Sequence, residues 1–173
     1  TRLGDRELKT VISPFSGEVL DHIPLCTADD VREAARKAKL AQKTWAAWSF
    51  KARGDVFRRF HDLVLERQHE VLDLIQLEAG KARRDAFYEV MDVAVNARYY
   101  AHNAAKHLKP RRRRGVLPLL TQTWEYRQPK GVVGIIAAWN FPFIFAVSDA
   151  IPALMAGNAV IFKPDPETSF TAL

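Results

Sequence analysis

Two short apolar runs, Val132-Val133-Gly134-Ile135-Ile136-Ala137 and Ala159-Val160-Ile161-Phe162, flank a helical stretch and restrict the fold more than any other feature. Each run is apolar throughout, the pattern expected of a strand buried on both faces. Asn140-Phe141-Pro142 follows the first run, and Pro142 suits the first position of a helix, where a missing N–H is no loss. That helix is expected over Phe143 to Ala150, bent or restarted at Pro152. Gly157-Asn158 closes it as a C-terminal cap. Strand, helix and strand over some thirty residues form a βαβ unit with a parallel pair. Such units take ligands beyond the carboxyl ends of their strands. Here those ends are Ala138-Trp139-Asn140 and Lys163-Pro164-Asp165.

Upstream, helical patterns dominate. Val11-Ile12 and Val19-Leu20 with Ile23 flank Pro14-Phe15-Ser16-Gly17 and predict a β-hairpin. Thr27 precedes Ala28-Asp29-Asp30, an N-cap with acids in the first turn. Val31, Ala34, Ala35, Ala38 and Trp45 then recur at helical spacing. A second helix carries Val56, Phe57, Phe60, Leu63 and Val64. A third carries Val71, Leu72, Leu74 and Ile75 and stops at Gly80. A fourth runs from about Arg84 to His107, with Phe87, Val90, Met91, Ala94 and Val95 on one side. Pro110 ends it. Thr121 to Arg127 is rich in β-branched and aromatic residues and reads as an exposed strand, broken by Pro129-Lys130-Gly131. Trp45, Trp48 and Phe50 are expected in the core.

Composition narrows the function classes. With 48% hydrophobic and 10% aromatic residues among 173, the chain has the means to build a core and is not disordered by composition. No run of about 18 apolar residues occurs, so no membrane span is expected. Thr1 to Asp5 carry no apolar signal segment, and the single cysteine, Cys26, excludes an internal disulfide; a cytoplasmic setting is the expectation. The net charge of +6 is local. Lys106, Lys109 and Arg111 to Arg114 hold six of the 26 basic residues with no acid between them, and the remainder balance the 20 acids. A basic run after a helix is expected to be a solvated loop. No helix-turn-helix, zinc or RNP pattern accompanies it, so nucleic acid is not an expected partner. The five histidines, His22, His61, His69, His102 and His107, are scattered, and no metal site is expected.

Taken singly, Asn140 reads as a helix N-cap and Lys163 as a solvated loop lysine; at the two tips of one βαβ unit they read together as a ligand site. The motifs that carry them resemble a known family. Gly131 to Ile136, Trp139-Asn140-Phe141-Pro142, Pro152 to Asn158 and Lys163-Pro164 resemble, in order and spacing, the central motifs of the aldehyde dehydrogenase superfamily. Ser16-Gly17-Glu18-Val19, the Thr27-capped helix, Glu78-Ala79-Gly80-Lys81 and the helix containing Glu89 resemble that family's opening. Gln128 to Gly134 and Lys163-Pro164-Asp165 look most like succinate-semialdehyde dehydrogenases.

The resemblance implies an α/β fold. N-terminal hairpin and helices occupy 1–119, the strand of an oligomerisation arm 120–130, and the first βαβ unit of a Rossmann-like NAD(P)-binding domain, incomplete in this chain, 131–173. It implies oxidation of a small-molecule aldehyde, succinate semialdehyde being one candidate, to the acid through a cysteine thioester, with hydride passing to NADP or NAD. Asn140 is implied as the catalytic oxyanion donor. Ile136, Ala137, Trp139, Asn140, Lys163, Asp165 and Pro166 are implied along the cofactor, with Lys163 at the adenosine ribose hydroxyls or a 2′-phosphate. Ala138 stands where the family usually has proline, and strand-end backbone contacts survive that change. Pro166 stands where NAD-preferring members often place a ribose-binding glutamate; proline neither accepts those bonds nor repels a 2′-phosphate, and Glu167 is expected to point elsewhere. Cys26 resembles nothing around the family's nucleophile. It is expected to be a small buried residue, with a lowered pKa near a helix N-terminus as the alternative. The chain reads as an N-terminal portion, inactive alone, of an enzyme that is a homo-oligomer at full length. A docking remnant and weak anion or nucleic-acid binding through Arg111 to Arg114 are the alternatives.

Overall fold

The computed structural model describes residues 6–117 and 120–173, so Thr1 to Asp5 and the expected boundary at residue 119 lie outside the described residues. Strands β1 (Leu8–Ile12) and β2 (Val19–Pro24) form the expected antiparallel hairpin, with a bulge between Val11 and Ile12. Four helices follow: α1 (Ala28–Ala47), α2 (Phe50–Glu66), α3 (Gln68–Ala79) and α4 (Arg83–Leu108). Strands β3 (Arg111–Arg113) and β4 (Thr123–Glu125) pair antiparallel. The βαβ unit comprises β5 (Val132–Ile136), α5 (Pro142–Val147), α6 (Ala150–Met155) and β6 (Ala159–Lys163), and the chain continues into a short helix, α7 (Ser169–Ala172). Strands β5 and β6 are parallel, with Ile136 opposite Lys163.

Local chemistry accounts for the helix ends. Thr27 accepts the N–H of Asp30, and Asp30 in turn accepts the N–H of Thr27, a reciprocal cap that satisfies two otherwise free donors. Gly80 closes α3 in the left-handed region at φ +67°, a conformation strained for any residue with a Cβ. The helix expected after Pro142, bent or restarted at Pro152, is two helices: the break falls at Ser148-Asp149, and α6 starts at Ala150, two residues ahead of Pro152.

The core lies between α2, α3 and α4, with α5 and α6 laid against α4. Its stripe on α4 is Ala86, Val90, Val93, Ala94, Ala97 and Ala104. The expected stripe was rotated from this one: Val90 and Ala94 are buried, but Phe87, Met91 and Val95 are exposed. Small residues win the buried face because they let α2 and α4 approach closely; the Cβ position of Gly54 on α2 lies 2.8 Å from the carbonyl oxygen of Ala101 on α4. Burying a residue such as Phe57 or Val64 in this layer contributes about 1.5–3 kcal/mol. Helix α1 has no fully buried residue and packs on β5 and β6 through a half-buried face. Trp45 belongs to that face and donates its indole N–H to the Leu154 carbonyl at 2.7 Å, whereas Trp48, expected in the core, is exposed.

Three further expectations are corrected. Arg111 to Arg113 are strand, not loop, because Glu125 on β4 supplies a counter-charge to Arg113 (2.5 Å) and also pairs with Arg127. Strand β5 is not buried on both faces. It has one strand partner among the described residues, and Ile136 is 80% exposed. Cys26 is exposed in the link between β2 and α1, not buried.

Candidate functional site

The carboxyl ends of β5 and β6 lie side by side. The N–H of Ala137 donates to the Lys163 carbonyl at 3.1 Å, which extends the ladder one residue past the last β5 pair. This places Ile136, Ala137 and Lys163 at one edge, with Ala137 buried and the other two exposed. Trp139 (59% exposed) and Asn140 follow in the turn that leads into α5. The edge therefore offers an apolar surface from Ile136 and Trp139, an amide from Asn140 and a cation from Lys163. Among the described residues Lys163 takes part in no ion pair.

Asn140 is not an N-cap. The cap position of α5 is Phe141, without a side-chain capping bond of its own. The free amides of that helix are satisfied from elsewhere. Oε2 of Glu89, a fully buried residue of α4, accepts the N–H of Phe143 at 3.0 Å and of Ile144 at 3.2 Å. With a better acceptor already in place, the Asn140 side chain is left exposed and without a hydrogen bond among the described residues.

The loop after β6 is ordered by its own bonds. The Asp165 carboxylate accepts the N–H of Glu167 at 3.0 Å, and the Asp165 carbonyl accepts the Ser169 hydroxyl at 2.8 Å. Asp165 is thus engaged in the turn itself. Pro166 is half-buried and carries no acceptor. The Glu167 carboxylate pairs with Lys9 on β1 at 2.7 Å, so the nearest acid after Pro166 is held against the hairpin.

Glu78 repeats the device seen at Glu89. It is 2% exposed on α3, and its two carboxylate oxygens accept the N–H groups of Phe170 and Thr171 and the Thr171 hydroxyl, each at 2.7 Å. The roles of Glu78 and Glu89 escape sequence reasoning because the amides they cap lie more than fifty residues away. A signal exists: Glu89 falls three residues after Ala86 and four before Val93, a charge inside an apolar stripe, which needs a partner when buried. No helix among the described residues is long and apolar enough to cross a membrane, and no group of three or more metal-ligating side chains occurs among them.

The pattern that defines the aldehyde dehydrogenase family matches residues 3–173. The chain belongs to the aldehyde dehydrogenase family. A relative in Mycobacterium ulcerans (strain Agy99), provisionally named an NADP(+) succinate-semialdehyde dehydrogenase, is 46% identical over 168 residues, 97% of this chain and 32% of that protein. Two solved structures share the fold. The NADP-dependent glyceraldehyde-3-phosphate dehydrogenase of Bacillus halodurans C-125, solved with NADP, superposes with a TM-score of 0.87 at 31% identity, over 96% of this chain and 36% of that one. The NAD-dependent benzaldehyde dehydrogenase of Corynebacterium glutamicum gives 0.88 at 30% identity over the same shares of the two chains. This aldehyde dehydrogenase chain therefore spans about a third of the length of the curated relatives it matches.

Proposed function

We propose that residues 1–173 form the opening third of an NADP- or NAD-dependent aldehyde dehydrogenase that oxidises an aldehyde, succinate semialdehyde foremost, to the acid. The observation that carries this reading is the edge formed by Ile136, Trp139, Asn140 and Lys163 at the carboxyl ends of a parallel strand pair. These residues fit a dinucleotide: an exposed apolar surface suits the nicotinamide half, and a lysine without an acid partner suits ribose hydroxyls or a 2′-phosphate. When bound, NADP or NAD supplies the hydride acceptor. The chain's own residues do the rest of what this third contributes. Ile136, Ala137 and Trp139 line the cofactor, and Lys163, with the loop at Asp165 and Pro166, meets its adenosine end. Asn140 donates its side-chain amide to the oxygen on which negative charge develops after attack by a cysteine thiolate, a contact of about 2.7–4 kcal/mol in such sites.

Pro166 supplies no carboxylate, the Asp165 carboxylate is engaged by the Glu167 N–H and Glu167 is held against the hairpin by Lys9, and this supports NADP over NAD. The relative named for succinate semialdehyde supports that substrate. Strands β3 and β4 have only each other as partners among the described residues, so an outer edge is open to a second copy, which supports a homo-oligomer. Cys26 lies exposed before α1 and has no place at the edge, so the 173-residue chain alone is expected to form no NADPH from aldehyde.

The test is steady-state kinetics on a chain of the relatives' full length carrying residues 1–173. NADPH formation with succinate semialdehyde is expected, with kcat/KM for NADP at least equal to that for NAD. A strong preference for NAD refutes the cofactor reading. Steady NADPH production by the isolated 173 residues refutes the assignment of the nucleophile elsewhere.

A further inference from the structure

Glu89 and Lys81 stand outside the strand ends, yet both reach the turn that carries Asn140. While Oε2 of Glu89 accepts the Phe143 and Ile144 amides, Oε1 pairs with the ammonium group of Lys81. The same ammonium lies over the Phe141 ring, 3.9 Å from its centroid. Phe141 in turn meets Phe145 edge to face at 5.9 Å. Residues 141, 143 and 144 are thus fixed from the α3–α4 turn and from α4, immediately after Asn140. Asn140 itself is exposed, and its side chain makes no hydrogen bond among the described residues. The backbone that follows it is held by two hydrogen bonds to the Lys81-paired Glu89, by the Phe141 ring under Lys81 and by Phe143 in the core.

Capping two amides does not require a charge, since a neutral oxygen serves as well. A fully buried carboxylate requires a cation, and the cation here is spent on the residue next to Asn140. We propose that Lys81 and Glu89 are positioning residues for Asn140. They hold residues 141–144 so that the Asn140 amide stays in reach of the reacting oxygen. This rests on the oxyanion reading of Asn140 above. Such placement is consequential because a misplacement of about 1 Å can cost about a hundredfold in rate.

The test is a double-mutant cycle in the full-length chain, read as kcat with saturating aldehyde and NADP. Asn140→Ala alone is expected to lower kcat about a hundredfold or more. Lys81→Met alone is expected to lower it about tenfold or more, with the KM for NADP within about twofold, because the pair acts on the turn and not on Lys163. In the Asn140→Ala background, Lys81→Met is expected to change kcat by less than about twofold, since a positioning residue has nothing left to position. Lys81→Arg, which keeps the charge, is expected to recover most of the loss. If Lys81→Met does not fold, Phe141→Leu serves, because it removes the ring from a half-exposed position and leaves the ion pair; its loss of kcat must likewise vanish with Asn140 absent. Equal losses in both backgrounds, or no loss from either variant in the parent, overturn the positioning role while the Asn140 reading stands. A parent-like kcat in Asn140→Ala overturns both.

Discussion

Arg53 ties α2 to the ends of α1 and α6, and its replacement by methionine is a quantitative test of the architecture. It is 4% exposed, and its guanidinium serves backbone carbonyls where a carboxylate partner is the usual arrangement. Nε donates to Met155 at 3.2 Å; Nη1 donates to Trp45 and Ala46 at 3.3 Å and to Trp48 at 2.5 Å. The ring of Phe50 lies 4.7 Å away. These acceptors are the closing carbonyls of α1, its cap and the last carbonyl of α6; only Trp45 among them also accepts a backbone N–H, that of Trp48. Helix α1 has no basic residue in its own last turn, so Arg53 of α2 supplies the charge its negative end favours. Hydrogen bonds to a charged group contribute about 1.5–3 kcal/mol each. Trp48 is exposed, and water can replace the bond there; the other N–H of Nη1 is shared by Trp45 and Ala46, so with Met155 two shielded bonds give a loss of about 3–6 kcal/mol. Burial of the guanidinium, which pushes its pKa down, offsets part of this and favours the lower end. Methionine keeps most of the packing volume, so the loss reports the polar network. The assay is equilibrium urea unfolding followed by tryptophan fluorescence, where Trp45 and Trp48 report directly on the joint. At a slope of about 2 kcal/mol per molar, the midpoint is expected to fall by about 1.5 M or more. A fall below about 0.3 M at unchanged slope refutes the claim that Arg53 joins α2 to the ends of α1 and α6.

Three further outcomes follow from particular contacts. Hydrogen bonding to Arg6, and then to Thr27, holds the Asp30 carboxylate well below its ordinary value; a depressed folded-state pKa stabilises above the unfolded value and is lost as pH falls. The Tm difference between parent and Asp30→Asn is therefore expected to be full above about pH 5 and to shrink progressively as pH falls below about 4, and a difference that grows on acidification sinks the assignment. Gly80→Ala places a Cβ 3.0 Å from the Pro14 ring at φ +67°, so calorimetry is expected to show a loss of about 1–2 kcal/mol, and an unchanged Tm contradicts it. Pro166→Glu in the full-length chain is expected to lower the NADP-to-NAD ratio of kcat/KM about tenfold or more by placing a carboxylate beside the 2′-phosphate, and a ratio that stays put refutes that geometry.

What the sequence makes legible is what short-range chemistry decides. Thr27 with Asp30, Gly80 and Pro110 mark helix ends through groups within four residues, and each end falls where those signals place it. The βαβ unit is equally plain, because Val132 to Ala137 and Ala159 to Phe162 leave no other period to choose. Legibility fails where a distant partner decides. Four arginines in a row read as solvated until Glu125, opposite Arg111 across a strand pair, meets the side chain of Arg113, twelve residues before it. The stripe on α4 depends on α2, whose Gly54 brings the two helices close enough to favour small residues over Phe87 and Met91. Of the edge itself, the sequence brings out Asn140 and Lys163 by residue type. It does not reveal that Asn140 is relieved of capping by Glu89, or that Glu167 is drawn off by Lys9.

The two buried glutamates explain why an edge of exposed residues has a defined shape at all. Helices α5 and α7 have six and four residues, far below the length at which a helix sustains itself in water. Each follows the turn at the end of one of the two parallel strands, and each has its first amides taken by a carboxylate from the helical layer: Glu89 for α5, Glu78 for α7. The turn from Ala138 to Phe141 and the loop from Pro164 to Thr168 are thus pinned at their far ends by side chains that belong to α4 and α3. The strands set where these loops begin, and the glutamates set where they end. Site geometry in this chain is for that reason a property of the helical layer as much as of the βαβ unit, and substitutions buried in α3 or α4 reach Asn140 and Lys163 without touching either.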